Sequence, residues 1–423
     1  MRKSPLKLVA AMLFSLAIVS TAANVNLKAG DDHPTVSVSA RAAKVHADGM
    51  LFDGHNDLPW KLRMEGDVGF SRLDLSKRLK ETQTDIPRMR AGGVKAQFWS
   101  VFIPSGHDHP ARTVTEQIDL VHRMAERYPE DLEMAYSADD VERIARSGKI
   151  ACLIGIEGGV AIEENLAQLR MFYKLGARYM TLTHGKTLPW ADSATDAPKH
   201  DGLTPFGERV VREMNRLGML VDISHVSRKT MLDVLRVAKA PVIASHSSAF
   251  AVCPRPRNVA DDVLKLVAAN RGVIMVNFFS GFVVAEYGRM YDKTRQELLE
   301  KFPDDDAAFW KGIDQWYETH KPPRGTVADV VDHIDHIVKV AGIDHVGIGS
   351  DFDGIAVWPV GLDDVSCFPR ITEELLRRGY SEADVHKILG GNVLRALREA
   401  GAIAERLRKS TPPEIDQPVN EKE

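Results

Sequence analysis

Eight short β-rich runs, each followed by a stretch of helical pattern, set the tightest limit on how this chain can fold. They read MLFDGHND, AQFWSVFIP, IACLIGIEGG, YMTLTHG, LVDISHVS, PVIASHSS, VIMVNFF and HVGIGSDFDG. Several are apolar almost throughout, as strands covered on both faces are. Between them lie amphipathic stretches at residues 165–175, 205–217, 228–237 and 327–340. Three of these stop at Gly176, Gly218 and Gly342, the residue type that most easily closes a helix. No dinucleotide-binding glycine fingerprint is present, so an α/β fold of the (β/α)8 TIM-barrel kind is expected rather than a doubly wound sheet.

The barrel is expected to occupy residues 49–410. Residues 281–325, charged and bearing Tyr and Trp, form a helical insertion between the seventh and eighth runs. The insertion belongs to the face where strands end, where it can cover a site or meet a partner subunit, as in a homodimer. Residues 1–23 have the pattern of a secretory signal peptide: Arg2, Lys3 and Lys7, an apolar core from Leu8 to Val19, then small residues. That core is shorter than a spanning helix needs, which makes a retained anchor the weaker alternative. Residues 24–48 read as a linker and 411–423 as a loose polar tail. The expected location is therefore the periplasm or outside the cell, with no membrane span left after signal removal. Basic and acidic residues nearly cancel, 55 against 59, for a net charge of −4. With no basic run, nucleic acid is excluded as a partner, because phosphate binding needs a concentrated positive face. Three widely spaced cysteines make neither a disulfide scaffold nor a CxxC site.

The 15 histidines carry more information. In a (β/α)8 barrel the catalytic groups sit at the carboxyl ends of strands. Run one ends in His55 and Asp57, run three in Glu157, run four in His184, runs five and six in His225 and His246, and run eight in Asp351 and Asp353. Imidazole and carboxylate together suit zinc or a similar divalent ion. Two such ions need a shared anionic ligand and a shared water acidic enough to yield hydroxide near neutral pH. Glu157 is the natural bridge, with His55 and Asp57 completing one site and His225 and His246 the other. Gly158 and Gly159 are expected to leave room beside it for a metal or a substrate. Asp53 and Asp222 are expected to orient ligands, Asp353 to be structural, and the other histidines to be solvated or packed.

Beyond these positions, FDGHNDLPW, GIEGG, YMTLTHG followed by PWADS, VDISHVS, SHSSAF, RNVADDVL, GIGSDFDG and GGN run in order from about Leu51 to Asn392. In them the chain resembles the membrane dipeptidase (renal dipeptidase) family of zinc peptidases, among the amidohydrolase-like metal hydrolases. The resemblance implies two Zn2+ ions bridged by Glu157 and hydrolysis of dipeptides by a metal-bridging hydroxide. It makes His184 the oxyanion-stabilising group, Arg257 the holder of the substrate's C-terminal end, and Asp351 the acid/base for the leaving amine. A charged His184 is the expected donor. The resemblance further implies acceptance of dipeptides with a C-terminal D-residue. The chain departs from its likeness at Gly185-Lys186-Thr187-Leu188, where many relatives carry Cys and Asn, and at Phe278–Phe282, where mammalian relatives carry tyrosines. A binuclear hydrolase of another small amide or lactone is the rival on the same scaffold, and a catalytically silent binding protein is the rival of another class.

Overall fold

All eight expected runs form parallel strands, and they follow one another in chain order around a nearly closed barrel. The computed structural model describes residues 36–302 and 306–416. Its strands are β1 Leu51–Asn56, β2 Val94–Phe102, β3 Leu132–Met134, β4 Ile150–Glu157, β5 Ala177–Thr181, β6 Leu220–Asp222, β7 Ile243–Ala244, β8 Val273–Val276 and β9 Val346–Ile348. The hydrogen-bonded order is β1-β2-β4-β5-β6-β7-β8-β9, and β3, which the sequence pattern did not mark, pairs onto the outset of β4. Closure between the last strand and the first comes just beyond β9. There Asp57 N donates to Phe352 O (2.9 Å) and Asp351 N to His55 O (3.0 Å). The seam of the barrel thus runs through three of the expected site residues.

The helices begin and end where their sequences direct. Thr204, Ser227 and Thr326 each accept a backbone N–H at the start of helices Pro205–Leu217, Arg228–Val237 and Val327–Ala341. Gly218 ends the first of these in the left-handed region, at φ 91°, a conformation glycine adopts without a Cβ clash. The expected insertion is helical: Ala285–Lys301 and Asp306–Thr319. Tyr287 and Trp316 pack there against Phe279 and Val357, on the face where the strands end.

Two boundaries differ from expectation. Residues 40–48, read as linker, form the helix Ala40–Asp48, capped by Ser39. Its His46 is buried between Thr372 Oγ1 (2.7 Å) and Gly92 O (2.8 Å), so the folded domain reaches back to this helix. In the tail, Arg170 donates to Glu414 O, Glu414 N to Glu213 and Leu166 N to Asp416 (2.7, 3.1 and 2.9 Å), so residues 411–416 are tied down. The signal-peptide pattern at 1–23 and residues 417–423 lie outside the described residues.

Inside the barrel, Phe52 stacks on Phe98 at 5.2 Å and Phe98 meets Tyr179 at 4.8 Å. Gly155 on β4 makes room for the Tyr179 ring: a Cβ there would overlap its Cζ. Tyr179 in turn bonds His55 Nδ1 at 2.8 Å, so this small residue fixes a site group from below. Gly155→Ala is therefore expected to cost about 1–3 kcal/mol of stability by overpacking and to loosen His55. Thermal unfolding together with metal retention on dialysis would check both effects. Unchanged melting and unchanged metal content would show that the ring has other room.

Candidate metal centre

The carboxyl ends of the strands bring the expected residues together. His55 lies within β1 and Asp57 just past it, while Glu157 is the last residue of β4. His184, His225, His246 and Asp351 follow β5, β6, β7 and β9 within a few residues. Glu157 is buried and turns its two oxygens to different partners. Oε2 lies 3.4 Å from His55 Nε2 and accepts from Ser100 Oγ at 3.1 Å. Oε1 lies 3.0 Å from His225 Nε2, 3.3 Å from His246 Nε2 and 3.8 Å from His184 Nε2. Asp57 Oδ2 is 3.4 Å from His55 Nε2. Potential ligand atoms of His55, Asp57 and Asp351 form one tight group; those of His55, Glu157 and His246 form a second, and those of Glu157, His184 and His225 a third.

The surrounding hydrogen bonds choose the tautomers. Ser245 Oγ donates to Asp222 Oδ2 at 2.6 Å, so at 2.8 Å from His246 Nδ1 it acts as acceptor. That leaves the His246 Nε2 lone pair directed at Glu157. Tyr179 OH donates to Gly54 O at 3.3 Å and accepts from His55 Nδ1 in the same way. His55 Nε2 is buried with no hydrogen-bond partner. A metal-bound imidazole needs this arrangement, with one ring nitrogen anchored by a neighbour and the other free to ligate.

Charge follows the same logic. Burial disfavours ionisation of Glu157, but His55, His225 and His246 outweigh it and hold the carboxyl well below its usual range. Burial, with Arg257 and His184 nearby, keeps His225 neutral; burial, with His55 nearby, does the same for His246. Burial also disfavours charge on His55, yet Tyr179, Glu157 and Asp57 draw its imidazole well above the ordinary value. The anionic groups around His55 favour positive charge there, which a divalent cation would supply. Buried carboxylates and neutral imidazoles converging in this way fit a zinc-type ion.

Several features show what the backbone does for the site. His225 (φ 66°) and Asp351 (φ 65°) both occupy the left-handed region, which is uncommon for residues with side chains and is held here by the surrounding bonds. Asp351 Oδ2 accepts from Asn277 Nδ2 at 2.7 Å. Burial, reinforced by Asp57 and Glu157, pushes the Asp351 carboxyl well above its ordinary value. Arg257 is buried; its guanidinium donates to Ser247 Oγ (3.2 Å) and His246 O (3.3 Å), neither of them charged. Its Nε has no partner.

The chain matches the family model described as membrane dipeptidase (peptidase family M19) over residues 39–411. The chain belongs to the membrane dipeptidase family. Among curated relatives, dipeptidase tcpJ of Claviceps purpurea is 41% identical over 365 residues, covering 83% of this chain and 77% of that protein. The crystal structure of the probable dipeptidase PvdM from Pseudomonas aeruginosa matches with a TM-score of 0.76 and 28% identity, over 86% of this chain and 98% of that one. A solved metallo-peptidase, dipeptidase AC, matches with a TM-score of 0.67 and 26% identity, over 83% and 98%. The protein is accordingly a metallo-dipeptidase of the M19 family.

Within this M19 domain one expectation needs correcting. The space that a Cβ on Gly159 would need is filled by Leu182 O and the Trp190 ring, and Gly158 sits at φ 117° against Ile103 O. These glycines serve packing and backbone shape, not ligand access. Burial holds the His184 imidazole below its ordinary value, which favours its neutral form over the charged one expected from the sequence. Asp353 faces away from the centre, accepting from Gln83 N at 2.6 Å. Asp222 supports His246 through Ser245, and Asp53 accepts from Ser350 N and Oγ (2.7 and 2.6 Å), next to Asp351. Tyr179, Ser245, Asn277 and Ser100 were not singled out from the sequence. Tyr179 could have been found from strand alternation, since it shares a strand face with Thr181, which bonds Asp222 (2.6 Å). Glu157→Gln is expected to release metal from both sides of the cluster, read as metal per chain by elemental analysis after dialysis. Full retention would end the assignment of Glu157 as a shared ligand.

Proposed function

We infer that this metallo-dipeptidase uses two zinc ions bridged by Glu157 and cleaves dipeptides that present a free C-terminal carboxylate. The observation that carries the reading is the division of Glu157 between His55 on one side and His225 with His246 on the other. His55 and Asp57 would hold one ion, His225 and His246 the other. The ions would supply Lewis acidity and a shared water acidic enough to serve as nucleophile at neutral pH.

The chain's own groups account for the rest of the chemistry. Asp351 borders His55 and Asp57, and its raised affinity for a proton suits a carboxyl that takes a proton and passes it to the departing amine. Asn277 fixes the orientation of that carboxyl. His184 stands beside His225, ring centroids 4.3 Å apart, with the Phe102 ring at 4.6 Å. From there its N–H would donate to the substrate's carbonyl oxygen and oppose charge developing on it. Arg257 lies behind His246 with its guanidinium uncommitted to any acid, a suitable seat for a substrate carboxylate.

The reading extends to dipeptides with a D-residue at the C-terminal side, on the family resemblance, and to export guided by residues 1–23. Asp351→Asn should lower kcat by roughly 10²–10⁴-fold while metal content stays constant; near-normal turnover would remove it from proton transfer. Arg257→Ala should raise KM by about 10–100-fold for free-acid dipeptides and much less for C-terminal amides. Equal losses on both would refute the carboxylate assignment. A stereochemically complete dipeptide panel checks the D-residue reading, which fails if no D-terminal member is cleaved.

A further inference from the structure

Arg257 is not the only buried arginine on its loop. Arg255, two residues earlier, is buried as well, with a side chain that points into the insertion. It donates to Gly288 O at 2.7 Å and pairs with Asp292 Oδ1 at 2.9 Å, both on the helix Ala285–Lys301. Its guanidinium lies 5.3 Å from the Tyr291 ring centroid and 5.5 Å from that of Phe282. The Arg257 guanidinium lies over the same Phe282 ring, at 5.1 Å. One aromatic ring therefore packs against both cations, which fixes their relative positions. Gly288 makes the crossing possible, because a Cβ there would lie 2.9 Å from Arg255 Cδ.

The same loop is tied to the segment after β8 by further hydrogen bonds. Asn258 Nδ2 donates to Cys253 O (2.8 Å) and Phe282 O (2.9 Å), and its Oδ1 accepts from Ser248 N (3.1 Å). His333 accepts from Ala249 N (3.0 Å) and donates to Val283 O (3.1 Å). These ties leave the Arg255–Asp292 pair as the charged link between the loop and the insertion helix. Two guanidiniums packed on one ring in a buried setting repel each other, and Asp292, the carboxylate in contact with Arg255, offsets that repulsion.

We propose that Asp292 and Arg255 are positioning residues for Arg257, so that the helical insertion sets the affinity for the substrate's C-terminal carboxylate. This rests on the reading of Arg257 as the carboxylate-binding group. Neither residue touches the metal cluster, so the effect falls on KM and leaves kcat alone.

The test compares wild-type enzyme with Asp292→Asn, Asp292→Glu and Arg257→Ala, using one dipeptide as the free acid and as its C-terminal amide. Asp292→Asn should raise KM for the acid on the order of tenfold, with kcat little changed and the amide's kcat/KM unmoved. Asp292→Glu, which keeps the charge, should recover much of the loss. Acid KM unmoved by Asp292→Asn, or acid and amide shifted alike, would overturn the proposal. Arg257→Ala separates the two layers. If it discriminates acid from amide while Asp292→Asn does not, the positioning role alone fails; if it does not discriminate, the carboxylate reading itself fails. Should Asp292→Asn not fold, Arg255→Lys is read by the same criterion, since it retains a charge but cannot span Gly288 O and Asp292 together.

Discussion

Three imidazole nitrogens directed at one buried carboxylate form the constraint on which the rest of this structure depends. His225 and His246 approach within 2.8 Å through Nε2, and both lie beside Glu157 Oε1, while His55 lies beside Oε2. The facing nitrogens of His225 and His246 and the anionic oxygen beside them repel one another unless a proton or a metal cation stands among them. The fold holds them there by rigid means. Each donor sits in or just after a buried parallel strand, Asp222 and Ser245 orient one ring, and Tyr179 another. His225 and Asp351 adopt left-handed backbone to turn their side chains inward. A rigid frame of this kind lowers the reorganisation needed when ions and substrate bind.

The proposed carboxylate-binding group is held by different means. The candidate ligands hang directly from strand ends, whereas Arg257 sits on the loop after β7, which Asn258 and His333 brace, and its guanidinium packs on the Phe282 ring. Strand ends vary little in position because they are part of the barrel's hydrogen-bond ladder. A loop braced by an insertion can be altered by changes in that insertion without disturbing the metal centre, which is how one barrel supports different preferences.

Much of this was legible in the chain itself. The eight strands were visible because a strand covered on both faces must be almost wholly apolar, and the candidate ligands were visible because each closes such a run. The helix Ala40–Asp48 was not, since its sequence is short and rich in small residues and its place depends on remote partners such as Thr372 and Gly92. β3, three residues long, has too little pattern to mark it. Residues 411–416 looked like a free tail because their anchors, Arg170 and Glu213, lie on helices far away in sequence. Tyr179, Ser245 and Asn277 look like ordinary strand or loop residues until their neighbours in space are known. The charge on His184 could not be read either, since burial, which lowers it, is a property of the fold.

Anomalous diffraction at the zinc edge from crystals of the zinc-loaded enzyme tests the central claim most directly. The account predicts two peaks flanking the Glu157 carboxylate, one contacted by His55 and Asp57 and the other by His225 and His246. A single peak, or two peaks that do not share Glu157, would contradict it.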